Sequence, residues 1–386
     1  MGEVAEKTGS GGTPSSSDPR YYGGSIPFLG IGDITGRFVD TTQKTLTKEG
    51  LANSAAWVVP QGAISLAMYA SYGKSAILSQ PMATSQAFFN IVFSSDATRD
   101  FIYSRFQCAE VRHEWDAMVS TGTQPNLSSG KLKKWEVSLP QQPEQRLIGQ
   151  FFKTLDSLIA AAERQEALLR QKKQAYLQLM FPQEGETQPR LRFAGFSGEW
   201  QQKTVGDLVG KTFGGGTPST SNSEYWIGRL PWIQSSNLAD GQIFRVDVEK
   251  HISDIALQHS SAQLIPAGSI AVVTHVGVGK LALVPFEYST SQDFISLGDL
   301  KCDSRFLSLA LQERLRKDLR VVQGSTIKGI TKQDLLHKKL TLPKQRDEQA
   351  RIATFLMLFG KTIAQINERK ALLQRMKEAY LQRLFL

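Results

Sequence analysis

Apolar residues recur at heptad spacing in two long stretches of the chain, and this pattern predicts two long helices. No Pro or Gly interrupts residues 150–181, and within the second stretch the helix-breaking residues are limited to Gly360. The repeating positions are Ile148, Leu155, Ala162, Leu169 and Tyr176 in the first stretch and Ile352, Phe359, Ile366, Leu373 and Tyr380 in the second. A further row in the first stretch consists of Phe151, Leu158, Gln165, Lys172 and Leu179. We assign the main rows, Phe151 and Phe355 to an interface between helices or with a partner.

The length of these stretches indicates how the helices are used. About 38 residues at about 1.5 Å per residue would extend for roughly 57 Å, which exceeds the width of a small domain. This favours two helices that pair as a coiled coil over the alternative, an amphipathic helix packed on its own globular domain. The polar residues Gln165, Lys172 and Arg369 interrupt the apolar rows and bear on register and partner choice.

Shorter apolar runs lie ahead of each of the two helical stretches and predict globules of mixed structure. The runs "AISLAMYA" from Ala63 and "SIAVVTHV" from Ser269 follow Pro-x-Gly and precede Gly-Lys, as buried strands do. Helical patterns occur over residues 96–115 and 304–319. The fold class is therefore α+β, and we expect the Gly-rich loops of each globule to meet the ligand.

The chain also repeats itself. "GGTPSSSDPRYYGGSIPFL" begins at Gly11, and "GGTPSTSNSEYWIGRLPWI" begins at Gly215, 204 residues later (215 − 11). "TSQ" occurs from Thr84 and from Thr290, "LP…EQ" opens both helical stretches, and "AYLQ" occurs near the end of both. Such a repeat indicates a tandem duplication of one fold. The first copy lacks a counterpart of "FSGEWQQKTV"; either the chain starts late or the end of the second helix covers that surface.

This order predicts four segments. Residues 1–138 form a first globule, 139–182 a first long helix, 183–341 a connector with a second globule, and 342–386 a second long helix. If the second helix packs on the first, the pair must be antiparallel, with two similar globules related by a pseudo-twofold repeat. Two modules at a fixed spacing suit a periodic ligand such as duplex DNA, which repeats about every 34–36 Å.

Composition narrows the classes of function. The net charge is +9, which favours polyanionic partners. Two cysteines without paired spacing, no apolar leader and no membrane-length apolar run predict a soluble cytoplasmic protein with no membrane association. The five histidines have no metal-ligand spacing, Gly73-Lys74-Ser75 lacks the earlier glycine of a phosphate-binding loop, and no Gly-x-Ser-x-Gly elbow is present. We expect no catalytic residue, bound metal or cofactor in this chain.

Taken together, these motifs resemble the DNA-specificity subunits of type I restriction-modification systems. The likeness covers essentially the whole chain: the "GGTPS" openings, the central strands, "TSQ", and "LP…EQ" before a long helix ending in "AYLQ". The resemblance implies two target-recognition domains, each of which reads one half of a split site in double-stranded DNA. It also implies two methylation subunits with S-adenosylmethionine, and restriction subunits, joined through the methylation complex, with ATP and Mg²⁺.

Candidate DNA contacts follow from the loops. The expected phosphate contacts are Thr13, Ser15, Ser16, Lys74, Lys131, Lys133, Lys134, Thr217, Ser219, Thr220, Lys280, Lys328 and Lys332. For the "GGTPS" hydroxyls, a purely structural turn is an equally good interpretation. Gln86 and Gln292 could read adenine, but their recurrence in both copies favours a shared structural role. Base-reading residues should differ between the copies, as Tyr69 and His275 do.

Two other classes of function stay open. The chain could be a coiled-coil adapter whose globules bind protein, with the positive charge incidental. A DNA-modifying enzyme with a dispersed active site is the less favoured alternative.

Overall fold

The computed structural model describes residues 1–120, 125–183, 185–321 and 329–385. The chain forms two compact units: Met1–Glu166 with Ile366–Leu386, and Ala167–Gln365. Both units mix helices and sheets, as the sequence predicts.

The first unit contains two main sheets. A five-stranded sheet has the order β1-β9-β6-β7-β3, and a four-stranded sheet has the order β4-β2-β8-β5. Most neighbours are antiparallel, whereas the β3–β7 and β2–β8 pairs are parallel. The strands are β1 Lys7–Gly9, β2 Tyr22–Leu29, β3 Phe38–Val39, β4 Lys44–Leu46, β5 Trp57–Val59, β6 Ile64–Ala67, β7 Ser75–Leu78, β8 Met82–Thr84, β9 Phe88–Val92, β10 Val119–Ser120 and β11 Asn126–Leu127. The helices are α1 Lys48–Ala52, α2 Asp96–Val111, α3 Ser129–Lys134 and α4 Gln142–Met180.

The second unit repeats this plan. Its four-stranded sheet has the order β13-β19-β16-β17, its three-stranded sheet β15-β14-β18, and β12 pairs with β20. The strands are β12 Gln201–Thr204, β13 Val209–Gly214, β14 Leu230–Ile233, β15 Lys250–Ile252, β16 Ser269–Val273, β17 Leu281–Val284, β18 Ser289–Thr290, β19 Phe294–Leu300 and β20 Lys339–Leu342. The helices are α5 Val205–Leu208, α6 Asp254–His259, α7 Ser304–Val321, α8 Lys332–His337 and α9 Arg346–Leu384.

The internal repeat is therefore a repeat of topology. The order β1-β9-β6-β7 corresponds to β13-β19-β16-β17, and β4-β2-β8 corresponds to β15-β14-β18. The predicted strands are β6 and β16, and the predicted helices of the globules are α2 and α7. The tandem duplication is confirmed.

The central strand of each unit is mostly apolar because both of its faces are buried. The polar exceptions, Ser65 in β6 and Ser269 in β16, are buried as well. In β6, Ile64 and Leu66 pack in a cluster with residues of α2, while Ala67 faces a second cluster with Leu29 and Met82. The strand β16 is buried in the same alternating way, its residues divided between two clusters. The sheet that contains β6 and the sheet that contains β16 are thus each covered on both faces.

Both long helices are present and each has 39 residues. Their early acidic residues, Glu144 in α4 and Asp347 and Glu348 in α9, complement the positive end of the helix dipole. Pro182 follows shortly after α4 and cannot continue it.

The helices run antiparallel within each unit. In the first unit, the ring of Phe151 lies 5.0 Å from that of Tyr380. Asp156 pairs with Lys377 at 2.6 Å, so the numbers rise along α4 as they fall along α9. In the second unit, Tyr176 packs against Phe355 and Phe359, with ring centroids 5.0 and 5.5 Å away.

Most residues of the two main rows are buried or half-buried, whereas in the further row Phe151 is half-buried and the other apolar residues are exposed. Leu155, Ala162, Ile352, Ile366 and Leu373 are buried, and Ile148, Phe151, Leu169, Tyr176, Phe355 and Phe359 are half-buried. Tyr380 keeps 40% of its surface exposed although it touches Phe151. Leu158 and Leu179 are exposed, and Phe152 and Leu177 are buried instead. The helices also pack on the globules, so their buried face is not a simple heptad seam.

Candidate nucleic-acid interface

The two "GGTPS" loops make the same contacts in both units. The Thr13 hydroxyl donates to Oε1 of Gln86 at 2.8 Å, and the Thr217 hydroxyl donates to Oε1 of Gln292 at 2.6 Å. The Ser15 hydroxyl pairs with that of Ser17 at 2.8 Å, and Ser219 pairs with Ser221 at 2.7 Å. These matched bonds join the "GGTPS" loop to the "TSQ" loop in each unit.

The glycines of these loops are required by close packing. A Cβ at Gly11 would collide with the carbonyl oxygen of Thr84, and a Cβ at Gly215 would collide with that of Ser291. The first unit adds a buried polar chain, in which Ser65 donates to Asn90 and Asn90 donates to Thr84. Thr13, Ser15, Ser16, Thr217, Ser219 and Thr220 themselves remain exposed. The repeated motif builds two hydrogen-bonded, closely packed loops with exposed polar side chains in each unit.

Lys74 and Lys280 occupy matching positions at the ends of two hairpin loops. These loops join β6 to β7 and β16 to β17, and Gly73 and Gly279 take left-handed conformations with φ of 87° and 89°. Both lysines are half-buried. In the first hairpin, the Tyr72 hydroxyl donates to Asp116 at 2.9 Å, and this bond raises the pKa of Tyr72.

The segment with Lys131, Lys133 and Lys134 was expected to be a loop, and that expectation is wrong. It forms the short helix α3, because the Ser128 hydroxyl accepts from the amide of Lys131 and Leu132 is buried beneath the turn. All three lysines are exposed, and the Lys131 ammonium donates to the carbonyl of Met118 at 2.9 Å.

The corresponding basic segment of the second unit is only partly described. Lys332 begins the matching helix α8 and is exposed. Lys328 lies outside the described residues.

The second unit has two adjoining surface clefts beside its "GGTPS" loop, with volumes of about 750 and 400 Å³. Thr220, Trp226 and Lys250 line both clefts. The larger is also lined by Ile227, Gly228, Arg229, Glu249 and His251, and the smaller by Thr217, Trp232, Gln234, Ser235, Ser236, Val276, Ser291, Gln292 and Asp293. The smaller cleft therefore gathers the "GGTPS" loop, the "TSQ" loop, the hairpin loop and the end of β14.

Lys250 places a positive charge at the shared rim. Its ammonium lies 5.6 Å from the ring of Trp226 and 5.9 Å from that of Trp232, while its side chain stays exposed. The Trp226 indole donates to the carbonyl of Ser219 at 3.1 Å, which holds the ring in place. An exposed ammonium group can bind a phosphate, and the aromatic rings beside it offer a surface against which the rest of the ligand can pack.

Sequence reasoning identified Thr217, Thr220 and Gln292 in this cleft but missed its other wall. Gln234, Ser235, Ser236 and Lys250 were not singled out. A usable signal was present, because the residues aligned with 234–236 in the first copy are Gly30, Ile31 and Gly32, so the copies differ there completely.

The described residues offer no group of His, Cys, Asp and Glu that could hold a metal ion. Cys108 and Cys302 are both buried and unpaired. Burial raises the pKa of Cys302 to about 11, so its thiol stays protonated near neutral pH and is a poor nucleophile. Within the described part of the chain, no helix is both long and apolar enough to cross a membrane.

Comparison with known proteins identifies the family. The family model described as "Type I restriction modification DNA specificity domain" matches residues 1–171 and again residues 197–375. The specificity subunit of the type I restriction enzyme MjaIX from Methanocaldococcus jannaschii is 22% identical over 100% of this chain and 90% of its own length. The EcoR124I/EcoR124II specificity subunit from Escherichia coli is 29% identical over 63% of this chain and 59% of its own length.

Solved structures show the same fold. The S subunit of a type I restriction-modification system from M. genitalium aligns with a TM-score of 0.65 and 13% identity, over 98% of this chain and 93% of that one. A chain from a study of the assembly of the type I R-M system aligns with a TM-score of 0.53 and 19% identity, over 100% and 96% of the two chains. The chain therefore belongs to the type I restriction modification DNA specificity family and carries the domain of that family twice.

Proposed function

We propose that this chain is the DNA-reading subunit of a type I restriction-modification complex and that each globule reads one half of a bipartite site in double-stranded DNA. The observation that carries this proposal is the twofold family match, together with the loop pair built identically in both units. Two globules with the same topology but different side chains suit two half-sites of different sequence. We assign residues 1–138 and 183–341 to the two readers and 139–182 and 342–386 to the helices that set the spacer.

DNA contact is assigned to the exposed and half-buried groups of the loops. Lys74 and Lys280 match each other in the two hairpins, and the exposed lysines of α3 and α8 add positive charge. A phosphate contact fixes position without reading sequence. The Thr13 and Thr217 hydroxyls already donate their protons within the loop pair, so their role is to hold the loops, whereas Ser16 and Thr220 are assigned to the ligand.

The helices are assigned to the methylation subunits. Leu147, Leu158 and Leu168 of α4 are 73, 38 and 49% exposed, and Leu358 and Leu372 of α9 are 56 and 52% exposed. Apolar side chains in such numbers on helices favour a protein partner. The S-adenosylmethionine, ATP and Mg²⁺ of the reaction belong to the methylation and restriction subunits, and the complex acts in the cytoplasm.

A protein-binding adapter remains the contrasting hypothesis. Mapping methylated bases in the source genome, with and without this gene, tests the choice. We expect methylation of one two-part sequence to vanish without the gene. Unchanged methylation, together with no binding to duplex DNA by the assembled complex at any salt concentration, would leave the adapter as the better account.

The duplication also predicts stoichiometry. Two similar faces should bind two copies of one partner, so mass measurement at saturating methylation subunit should give two partners per chain. A stable one-to-one complex would contradict this.

A further inference from the structure

We infer that Gln234, Ser235 and Ser236 read base edges for the second globule, and that Gly30, Ile31 and Gly32 fill the same place in the first globule and give it a different preference. This inference rests on the proposed function. It names the residues that make the two half-sites different.

The backbone frame around these residues is the same in both units. A short turn follows β2 at Ile31–Asp33, and a matching turn follows β14 at Ser235–Asn237. The backbone amide of Gly30 donates to the Asp33 carboxylate at 2.8 Å, and the backbone amide of Gln234 donates to the side-chain oxygen of Asn237 at 2.8 Å. The residue that closes the turn is polar in both copies and accepts the same backbone hydrogen bond. The side chains that differ between the copies therefore extend from matching backbone turns.

In the second unit these side chains line the smaller cleft, whose volume is about 400 Å³. The hairpin loop borders them closely, since a Cβ at Gly277 would lie 3.8 Å from the Cβ of Ser235. Lys250 lies in the same cleft and suits a phosphate, while Val276 at the hairpin tip is 69% exposed. Lys250, which we assign to a phosphate of the DNA backbone, thus lies beside polar side chains of the kind that read bases.

The chemistry of the triplet fits base recognition. A glutamine amide pairs with the adenine edge through two hydrogen bonds, serine accepts or donates to any base, and an apolar side chain such as Val276 contacts a thymine methyl. The aligned triplet of the first unit has two glycines and a half-buried isoleucine. It offers close backbone approach and one apolar surface, so it cannot read the same bases in the same way.

The test exchanges the triplets in the full chain assembled with its methylation subunits. Replacing residues 234–236 by Gly-Ile-Gly should change or relax one half of the methylated sequence and leave the other half intact. Discrimination at the affected base pairs should fall roughly 5- to 150-fold. Gln234→Glu keeps the size of the side chain and should move its preference from adenine toward cytosine.

Two control variants frame the result. Lys250→Ala should weaken binding to all duplexes about equally, because a phosphate contact carries no sequence information. The reciprocal exchange at 30–32 should alter the other half-site. If the wild-type complex shows no sequence-specific DNA binding, the proposed function itself fails. If it reads a two-part site and both halves persist in the folded 234–236 and Gln234→Glu variants, only the present inference is overturned.

Discussion

Arg37 is held in the first unit by two carboxylates and an aromatic ring. Its side chain is 2% exposed and lies 3.2 Å from Asp100 and 3.1 Å from Asp156, with its guanidinium 4.5 Å from the ring centre of Tyr103. Burial and the charge of Asp156 raise the pKa of Tyr103, so the phenol stays neutral beside this group. The arginine joins the loop before β3 to both α2 and α4.

Replacing Arg37 should therefore damage the first unit in particular. Arg37→Met removes the buried cation that Asp100 and Asp156 share and leaves them with Arg99 at 3.0 Å and Lys377 at 2.6 Å. Losing one partner of a buried pair costs about 3–5 kcal/mol when the remaining charge is unpaired, so we expect a cost below that range. Amide hydrogen exchange in α2 should accelerate accordingly, while exchange in α7 should not. Arg20→Ala, which removes an arginine with 69% exposure, is the control and should leave both helices unchanged. Equal effects of the two variants would show that the buried network is not stabilising.

Cys302 makes the second unit sensitive to alkaline pH. Burial desolvates its thiol and raises the pKa of Cys302 to about 11, against an ordinary value of 9.0. The contribution to stability is complete below about pH 9 and is lost as the pH rises through about 11, on the order of 2–3 kcal/mol.

Urea unfolding of the second unit tests this effect. Between about pH 8 and pH 11, the wild type should lose more stability than Cys302→Ala by roughly that amount. Comparing slopes with pH cancels the constant cost of the cavity left by the substitution. Parallel pH profiles for the two proteins would contradict the assignment.

At the scale of elements, the two hairpins carry matching lysines. Replacing Lys74 and Lys280 by Ala should weaken binding of the assembled complex to all duplexes. It should also flatten the dependence of log affinity on log salt by about one unit per lysine. The pair Lys7→Ala with Lys301→Ala removes the same charge from exposed positions at the end of each sheet opposite these hairpins and should leave the salt dependence nearly unchanged. Loss of preference at a single base position, or no change, would contradict phosphate contact.

The long elements were predictable and the short ones were less so. Helices α4 and α9 follow from apolar periodicity over 39 residues, and β6 follows from an apolar run bounded by turns. Helix α3 has only 6 residues, so its capping serine and the burial of Leu132 determine it more than its composition does. The capping signal was present at Ser128, but the nearby lysines indicated a loop.

The candidate site shows the same division. The Thr13–Gln86 and Thr217–Gln292 pairs follow from motifs repeated in the sequence, and a shared structural role for the glutamines was the favoured interpretation. The smaller cleft was not predicted, because its wall combines residues from 217 to 293. Their meeting depends on how β14, β15 and the hairpin pack, which local patterns do not encode.

For the whole molecule, both long helices contribute to both compact units. Residues 142–166 and 366–384 belong to the first unit, and 167–180 and 346–365 belong to the second. Our proposal that these helices set the spacer makes helix length the quantity to vary.

Removing one heptad from each helix, Glu163–Leu169 with Asn367–Leu373, should shorten the preferred spacer. The deletion removes Glu166 and Lys370 together, so the ion pair they form at 2.9 Å leaves neither charge behind. Each helix loses about 10 Å, or roughly three base pairs. Methylation mapping should show both half-sequences retained with a new gap, accompanied by weaker binding because the helical phase of the DNA changes.

A deletion variant with the heptad removed from α4 alone is the control, because it mismatches the helices and should impair assembly. If the double-deletion protein folds, binds its partners and keeps the original spacer, the helices do not set that distance.

The end of α9 has a consequence for how the protein is made. Phe385 packs 5.3 Å from Phe101 and 6.0 Å from Phe152, and Arg112 donates to the carbonyls of Gln382 and Phe385. These last residues leave the ribosome after the second unit is complete. The apolar surface of the first unit that Phe385 covers therefore stays exposed while the rest of the chain is translated. We expect chaperones to bind this part of the nascent protein.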